Sequence, residues 1–383
     1  MRRLALVATT LLLATAVATP AQAQGNVWSD RAEDSYQAMQ QYLYVDGHYL
    51  EKYPRQEGEN PYSYMWPMRE ATAAAIDVAN TPGNSKYRKD IAKRFDALET
   101  YYGVWNGKPG YLSYVPPPLG GGGDIFYDDN AIVGLEHVRR YAFSRDRDHL
   151  KDAKRAFTTV IRGWNERDLP CPGGMQWVEA TWVDIRAANV TGLGSQLAAH
   201  LYEQTRDKSY RQWAERLYNW NRTCLRSPEG LYWNDMAPDG TVNQTLWTYN
   251  SGAMIGAASV LYRATKNPTY KANARADAQA AITYWTENDR YFDQPAIFNA
   301  IWFKNLLLLD SVAHDRKYRQ VVERYATHIW NENRDPSLGL FRFPPSGGGP
   351  YDPSYRPETL EQSAAIQIFA ALAWPTRDYR RIA

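Results

Sequence analysis

About twelve stretches of this chain carry the 3.6-residue apolar spacing of amphipathic helix, and the connections between them alternate between short and long. The stretches fall at 28–43, 64–80, 84–103, 128–144, 146–166, 183–204, 207–224, 248–265, 268–286, 297–313, 315–333 and 359–373. Short links lie near 81–83, 145, 205–206, 266–267 and 314, and long ones at 44–63, 104–127, 167–182, 225–247, 287–296 and 334–358. A short link forces its two helices to run antiparallel as neighbours. The helices therefore pair into hairpins, and all the long connections emerge on one face. Six helical hairpins closed on themselves form an (α/α)6 barrel, a toroid of inner and outer helices, so the predicted fold is all-α. The pairs recur roughly every 50 to 60 residues, a degenerate internal repeat that an open solenoid would share. Solenoid linkers are short on both faces, whereas here one face holds nearly all the loop mass. No Pro- or Ser-rich linker divides residues 24–383, which are read as a single domain.

Composition sorts the helices by ring. The stretch WTYNSGAMIGAASVLYRA from Trp247 carries small and apolar residues on every side, as does 183–204, and both suit inner helices. KYRKDIAKRFDALE and LKDAKRAFTTVIR each have one apolar stripe and one charged face, as outer helices should. The inner helices follow the long connections, so their N-termini point toward the loop face.

The chain opens with Met1-Arg2-Arg3, an apolar run from Leu4 to Val17 and Ala21-Gln22-Ala23. These are the parts of a secretory signal peptide, with cleavage expected after Ala23. The mature protein is expected to be exported, free of the membrane and a monomer. Without Arg2 and Arg3 the basic and acidic residues balance, which argues against nucleic acid or an anionic membrane as partner. Cys171 and Cys224 enter neighbouring long loops, and in an exported protein they are expected to form a disulfide. The six histidines lack ligand spacing, so no metal site is expected.

The long loops are rich in aromatics and acids, among them Tyr49, Trp105, Asp124, Trp177, Trp182, Trp233, Asp235, Trp247, Phe292 and Tyr355. The apolar face of a sugar packs on a ring while its hydroxyls need acceptors, so six such loops on one rim suit a carbohydrate-binding cleft. Singly, each residue could equally serve to pin its own loop. The candidates for substrate contact are those nearest inner-helix N-termini: Trp177, Asp235, Trp247, Tyr249 and Asn250. The run Gly120-Gly121-Gly122-Gly123 is followed by no Lys-Ser/Thr pair and is no phosphate loop; it lets the backbone bend or approach a ligand. The sequons at Asn189, Asn221 and Asn243 are read as chance matches.

Asp128 and Asp129 open the fourth helix at the mouth of the toroid. One aspartate there can cap the helix and the second can face its dipole. Glycoside hydrolysis asks for more: two carboxyl groups, one ionised and one protonated. A helix N-terminus favours one anion, and that anion makes the neighbouring proton harder to lose. Neighbouring side chains can set their carboxyls about 5 Å apart, the spacing of retaining rather than inverting enzymes.

Asp128-Asp129-Asn130-Ala131 at a helix start, WTYNSGAMIGAASVLYRATKNPTY from Trp247, PGGMQW at 172–177 and the closing TLEQSAAIQIFAAL together resemble glycoside hydrolase family 76, the α-1,6-mannanases. The resemblance runs from about residue 30 to 373. It implies an (α/α)6 barrel and endo-hydrolysis of α-1,6-mannan with retention, with Asp128 as nucleophile, Asp129 as general acid/base and no cofactor. Ile132 stands where that family often has Trp, and Ser251 where Gln is common. Other sugar enzymes of the same fold (a transglycosylase, a glucuronyl hydrolase or a polysaccharide lyase) and a catalytically silent glycan-binding protein remain open alternatives. Those acting on acidic sugars would want more basic residues in these loops.

Overall fold

The computed structural model describes residues 26–344 and 352–382. The expected signal peptide, Gly347-Gly348-Gly349 and Tyr351 lie outside the described residues. The helices are α1 (Val27–Tyr42), α2 (Met65–Ala79), α3 (Arg88–Glu99), α4 (Tyr127–Ser144), α5 (Arg147–Ile161), α6 (Ala188–Thr205), α7 (Lys208–Cys224), α8 (Thr248–Thr265), α9 (Pro268–Thr286), α10 (Ala296–Asp310), α11 (Arg316–Glu332) and α12 (Thr359–Ala373). The even-numbered helices pack in order, α2 on α4 and so on to α12, which returns to α2 and closes the ring. Each odd-numbered helix lies outside, α3 on α2, α5 on α4, α7 on α6, α9 on α8 and α11 on α10. The (α/α)6 barrel is thus present, with one difference. Five hairpins are closed by tight turns, but the sixth pairs α1 with α12, from the two ends of the chain. Burial follows ring membership: 14 of the 15 residues of α2 are buried, against 5 of the 17 in α7.

Three of the tight turns reuse one short pattern, Tyr-x-x-Ser/Thr-Arg/Lys-Asp/Asn. Arg145, Arg206 and Lys266 each end an inner helix with φ between 60 and 64°, and their N–H groups bond the carbonyls of Tyr141, Tyr202 and Tyr262. A left-handed residue other than glycine costs roughly 1–2 kcal/mol. The next residue offsets this: Asp146, Asp207 and Asn267 cap the following outer helices by accepting an N–H two residues on. Such a cap is worth about 1 kcal/mol.

The long connections are less irregular than the sequence suggested. Strands β1 (Tyr44–Val45) and β2 (His48–Tyr49) form a hairpin, as do β3 (Tyr102–Trp105) and β4 (Lys108–Tyr111). β5 (Arg186–Ala187), β6 (Trp233–Met236) and β7 (Val242–Leu246) form an antiparallel sheet. The stretch expected to be helical over 84–103 therefore ends at Glu99, and that over 183–204 begins only at Ala188. The one expected over 146–166 also ends early, at Ile161, leaving Cys171 inside the third long loop.

Cys171 and Cys224 are disulfide-bonded, with Cα atoms 6.1 Å apart and a sequence separation of 53. The bond joins the third loop to the fourth, and Arg186 reinforces it by donating to the carbonyls of Pro170, Cys171 and Ala237. In the chain-entropy account a closed loop of this length contributes about 4 kcal/mol. Unfolding in denaturant with and without reductant is expected to differ by up to about that amount, and unfolded, unreduced protein should yield no titratable thiol.

Candidate active site

Every inner helix starts at the loop face, and the first turns of five of them converge on one cavity. α2 supplies Trp66, α4 Asp128 and Asp129, α6 Asn189, α8 Tyr249 and α10 Phe298. Trp177, Ile185 and Asn234 of the loops complete the rim, and Ile132, Leu193 and Ile301 form an apolar floor. α12 contributes indirectly, its Glu361 carboxylate accepting from the Ile297 N–H and so capping α10.

Helix α4 begins at Tyr127, with Phe126 as its N-cap. Asp128 and Asp129 are thus its second and third residues, and neither caps it. Asn130 does the fixing. Its side chain donates to the carbonyls of Phe126 and Tyr111 and accepts from the Tyr111 N–H, locking the helix start to β4. The two carboxyl groups are left to face the cavity.

Their surroundings differ. Asp128 accepts from the indole N–H of Trp177 at 2.9 Å, the side-chain amide of Asn189 at 2.7 Å and the Asp129 N–H at 3.0 Å. Burial raises its pKa, and these three donors oppose the rise. Burial pushes Asp129 well above the ordinary carboxyl range; the Asp128 charge and then Glu70 push it further, and no donor among the described residues offsets them. The pair titrates as a unit, and its first proton leaves Asp128, whose anion the three donors hold. A reaction needing one anion and one acid is expected to show a bell-shaped pH dependence of kcat/KM. Because both groups are raised, its acid limb should lie above the roughly 3.9 of an ordinary aspartate. An acid limb at or below that value would contradict the arrangement.

The sequence-derived contact residues divide. Trp177 lines the cavity, but its indole N–H is spent on Asp128, and its ring meets Phe126 edge-on at 5.0 Å. Tyr249 also lines it, with its ring 4.1 Å from that of Phe298, which stacks in turn on Trp66 at 6.2 Å. Trp247 sits behind this wall, edge-on to Phe298 at 5.4 Å. Asp235 does not line the cavity. Its carboxylate accepts from Asn234 and Asn243, and Asn234 faces the cavity instead. Asn250 is fully buried, away from the lining, with no partner for its amide among the described residues.

Four polar or aromatic lining residues escaped sequence reasoning: Asn189, Trp66, Phe298 and Asn234. Asn189 stands in a sequon but points inward, as does the fully buried Asn221. A common signal was available, since α2, α4, α6, α8 and α10 each bring at least one of their first three residues to the same cavity. Of the polar clusters elsewhere among the described residues, the ligand atoms of Glu99, His137 and Asp152 lie within 4.8 Å of one another. The Arg155 guanidinium lies 2.6 Å from Glu99 and 3.4 Å from Asp152, so the cluster already contains its positive charge.

A family model for glycosyl hydrolase family 76 matches residues 27–379. Among curated proteins, mannan endo-1,6-alpha-mannosidase DCW1 of Candida glabrata is 27% identical over 146 residues, 35% of this chain and 32% of its own. The Candida albicans protein of that name is 28% identical over 156 residues, covering 36% and 34%. The matched stretch thus spans about a third of the length of these relatives. Among solved structures, a family 76 mannosidase from Bacteroides thetaiotaomicron superposes with a TM-score of 0.80 at 23% identity, over 91% of this chain and 98% of that one. An inactive α-1,6-mannanase variant from Salegentibacter sp., with two consecutive aspartates replaced by alanine, is in complex with α-1,6-mannotetrose. It superposes with a TM-score of 0.71 at 21% identity, over 90% and 98% of the two chains.

Proposed function

The chain belongs to glycosyl hydrolase family 76, and from that premise we propose that it is an exported, monomeric endo-α-1,6-mannanase acting with retention of configuration. The observation that carries this reading is the unequal carboxyl pair: Asp128 held by three donors, Asp129 by none, side by side in a cavity walled by aromatic rings. The α-1,6-mannan specificity is taken from the curated relatives and from the mannotetrose complex of the Salegentibacter protein.

In the first step the Asp128 carboxylate attacks the anomeric carbon while the bond from that carbon to the glycosidic oxygen breaks. Asp129 gives its proton to the departing oxygen. The products are a mannosyl ester on Asp128 and a shortened chain bearing a new hydroxyl. In the second step Asp129, now an anion, takes a proton from water, whose oxygen attacks the same carbon and releases Asp128. Two inversions at one carbon restore the starting configuration. Neither step calls on a metal or cofactor. The apolar floor at Ile132 favours a neutral Asp129 until the leaving oxygen arrives.

Digestion of linear α-1,6-mannan tests this reading. Early products of mixed length with the α anomer formed first are expected; release of mannose alone would remove the endo assignment, and a β anomer formed first would remove retention. Export predicts a mature N-terminus at Gln24.

A further inference from the structure

The cavity holds about 230 Å³, less than the roughly 300–1,000 Å³ of pockets that enclose a drug-sized ligand. An oligosaccharide cut internally must therefore extend over the rim, and the rim is uneven. Among the described residues the large apolar side chains left exposed are Val27, Tyr64, Val104, Leu119 and Trp182. All but Val27 stand on or beside the first three long loops.

Trp182 is the one tied to the site. It is 59% exposed, yet its orientation is fixed, because its indole N–H donates to Asp124 Oδ2 at 2.8 Å. The other oxygen of that carboxylate accepts from Trp105 at 3.0 Å. The Trp182 ring meets Trp177 edge-on at 5.9 Å, and Trp177 both lines the cavity and holds Asp128. The glycine run serves this shelf. Gly122 has φ of +72°, and a Cβ there would stand 3.0 Å from the Trp105 ring. Exposed tryptophan is unusual in a folded protein, and one held rigid with a face free has lost its side-chain entropy before any ligand arrives.

We propose that Trp182, anchored by Asp124, is an outer sugar-binding platform that stacks on a mannose unit of the same chain whose scissile bond lies at Asp128 and Asp129. This rests on the mannanase reading and adds a direction to it, since the polysaccharide would leave the cavity over the third loop. A stacked aromatic contact is worth roughly a three- to tenfold change in affinity.

The test is kcat/KM over α-1,6-mannooligosaccharides of increasing length, for wild type, Trp182→Ala and Trp182→Phe. In wild type, kcat/KM should rise with length. Trp182→Ala should diminish that rise by roughly three- to tenfold through KM rather than kcat, with Trp182→Phe restoring most of it. A loss equal at every length, a loss in kcat alone, or no loss would overturn the platform while leaving the mannanase reading intact. Failure of wild type to cleave any oligomer would overturn both.

Discussion

Asp128→Asn, which removes the nucleophile, and Asp129→Asn, which removes the proton donor, are each expected to lower kcat/KM on α-1,6-mannan by at least about 10³-fold. The two losses should differ in kind. An aryl mannooligosaccharide with a good leaving group needs no proton for the first step, so Asp129→Asn should recover on it, and an added small anion such as azide should speed its second step. Asp128→Asn should recover on neither, because it cannot form the ester. Asp128→Asn removes a buried anion and Asp129→Asn exchanges a neutral carboxyl for a neutral amide, so neither variant should melt far below wild type. Activity above about a tenth of wild type in either variant, against the 10²–10⁴ at stake in such a role, would remove the role assigned to that residue.

The ring was legible because it follows from connection lengths and helical period, both properties of the chain itself. The aspartate pair was legible because it sits where the long-loop rule places an active face. The details missed depend on orientation. Asn234 and Asp235 are neighbours on β6, and strand neighbours point to opposite faces; without the pairing of β6 with β5 and β7, the choice between them was open. Asn189 required knowing that α6 begins at Ala188, five residues later than helical spacing alone suggested, because Arg186 and Ala187 pair with β6. Two-residue strands of this kind are set by tertiary neighbours and carry almost no periodic signal. Trp66 and Phe298 were not singled out, because their rings pack on the core as well as lining the cavity.

The inner helices were read as apolar on most faces, but a circuit of charge crosses the barrel axis below the site. Glu70 accepts from Arg69 at 2.7 Å, and Arg69 also reaches Glu136 at 3.0 Å. Arg139 binds Glu136 at 3.1 Å and pairs with Asp77, which Lys304 meets at 3.1 Å. Gln367 closes the loop, accepting from Lys304 and donating to Glu70, both at 2.8 Å. Three cations and three anions from α2, α4 and α10, with Gln367 of α12, are almost fully buried and balance one another. Arg139→Met keeps roughly the volume but leaves Asp77 and Glu136 short of one positive charge. Removing one partner of such a buried pair costs about 3–5 kcal/mol, which should appear as a lowered urea midpoint. Adding Asp77→Asn to Arg139→Met restores neutrality and is expected to regain part of the loss, although the single Asp77→Asn should itself destabilise. That sign reversal separates a charge imbalance from a packing defect, since a cavity or clash at Arg139 would make the two losses simply add.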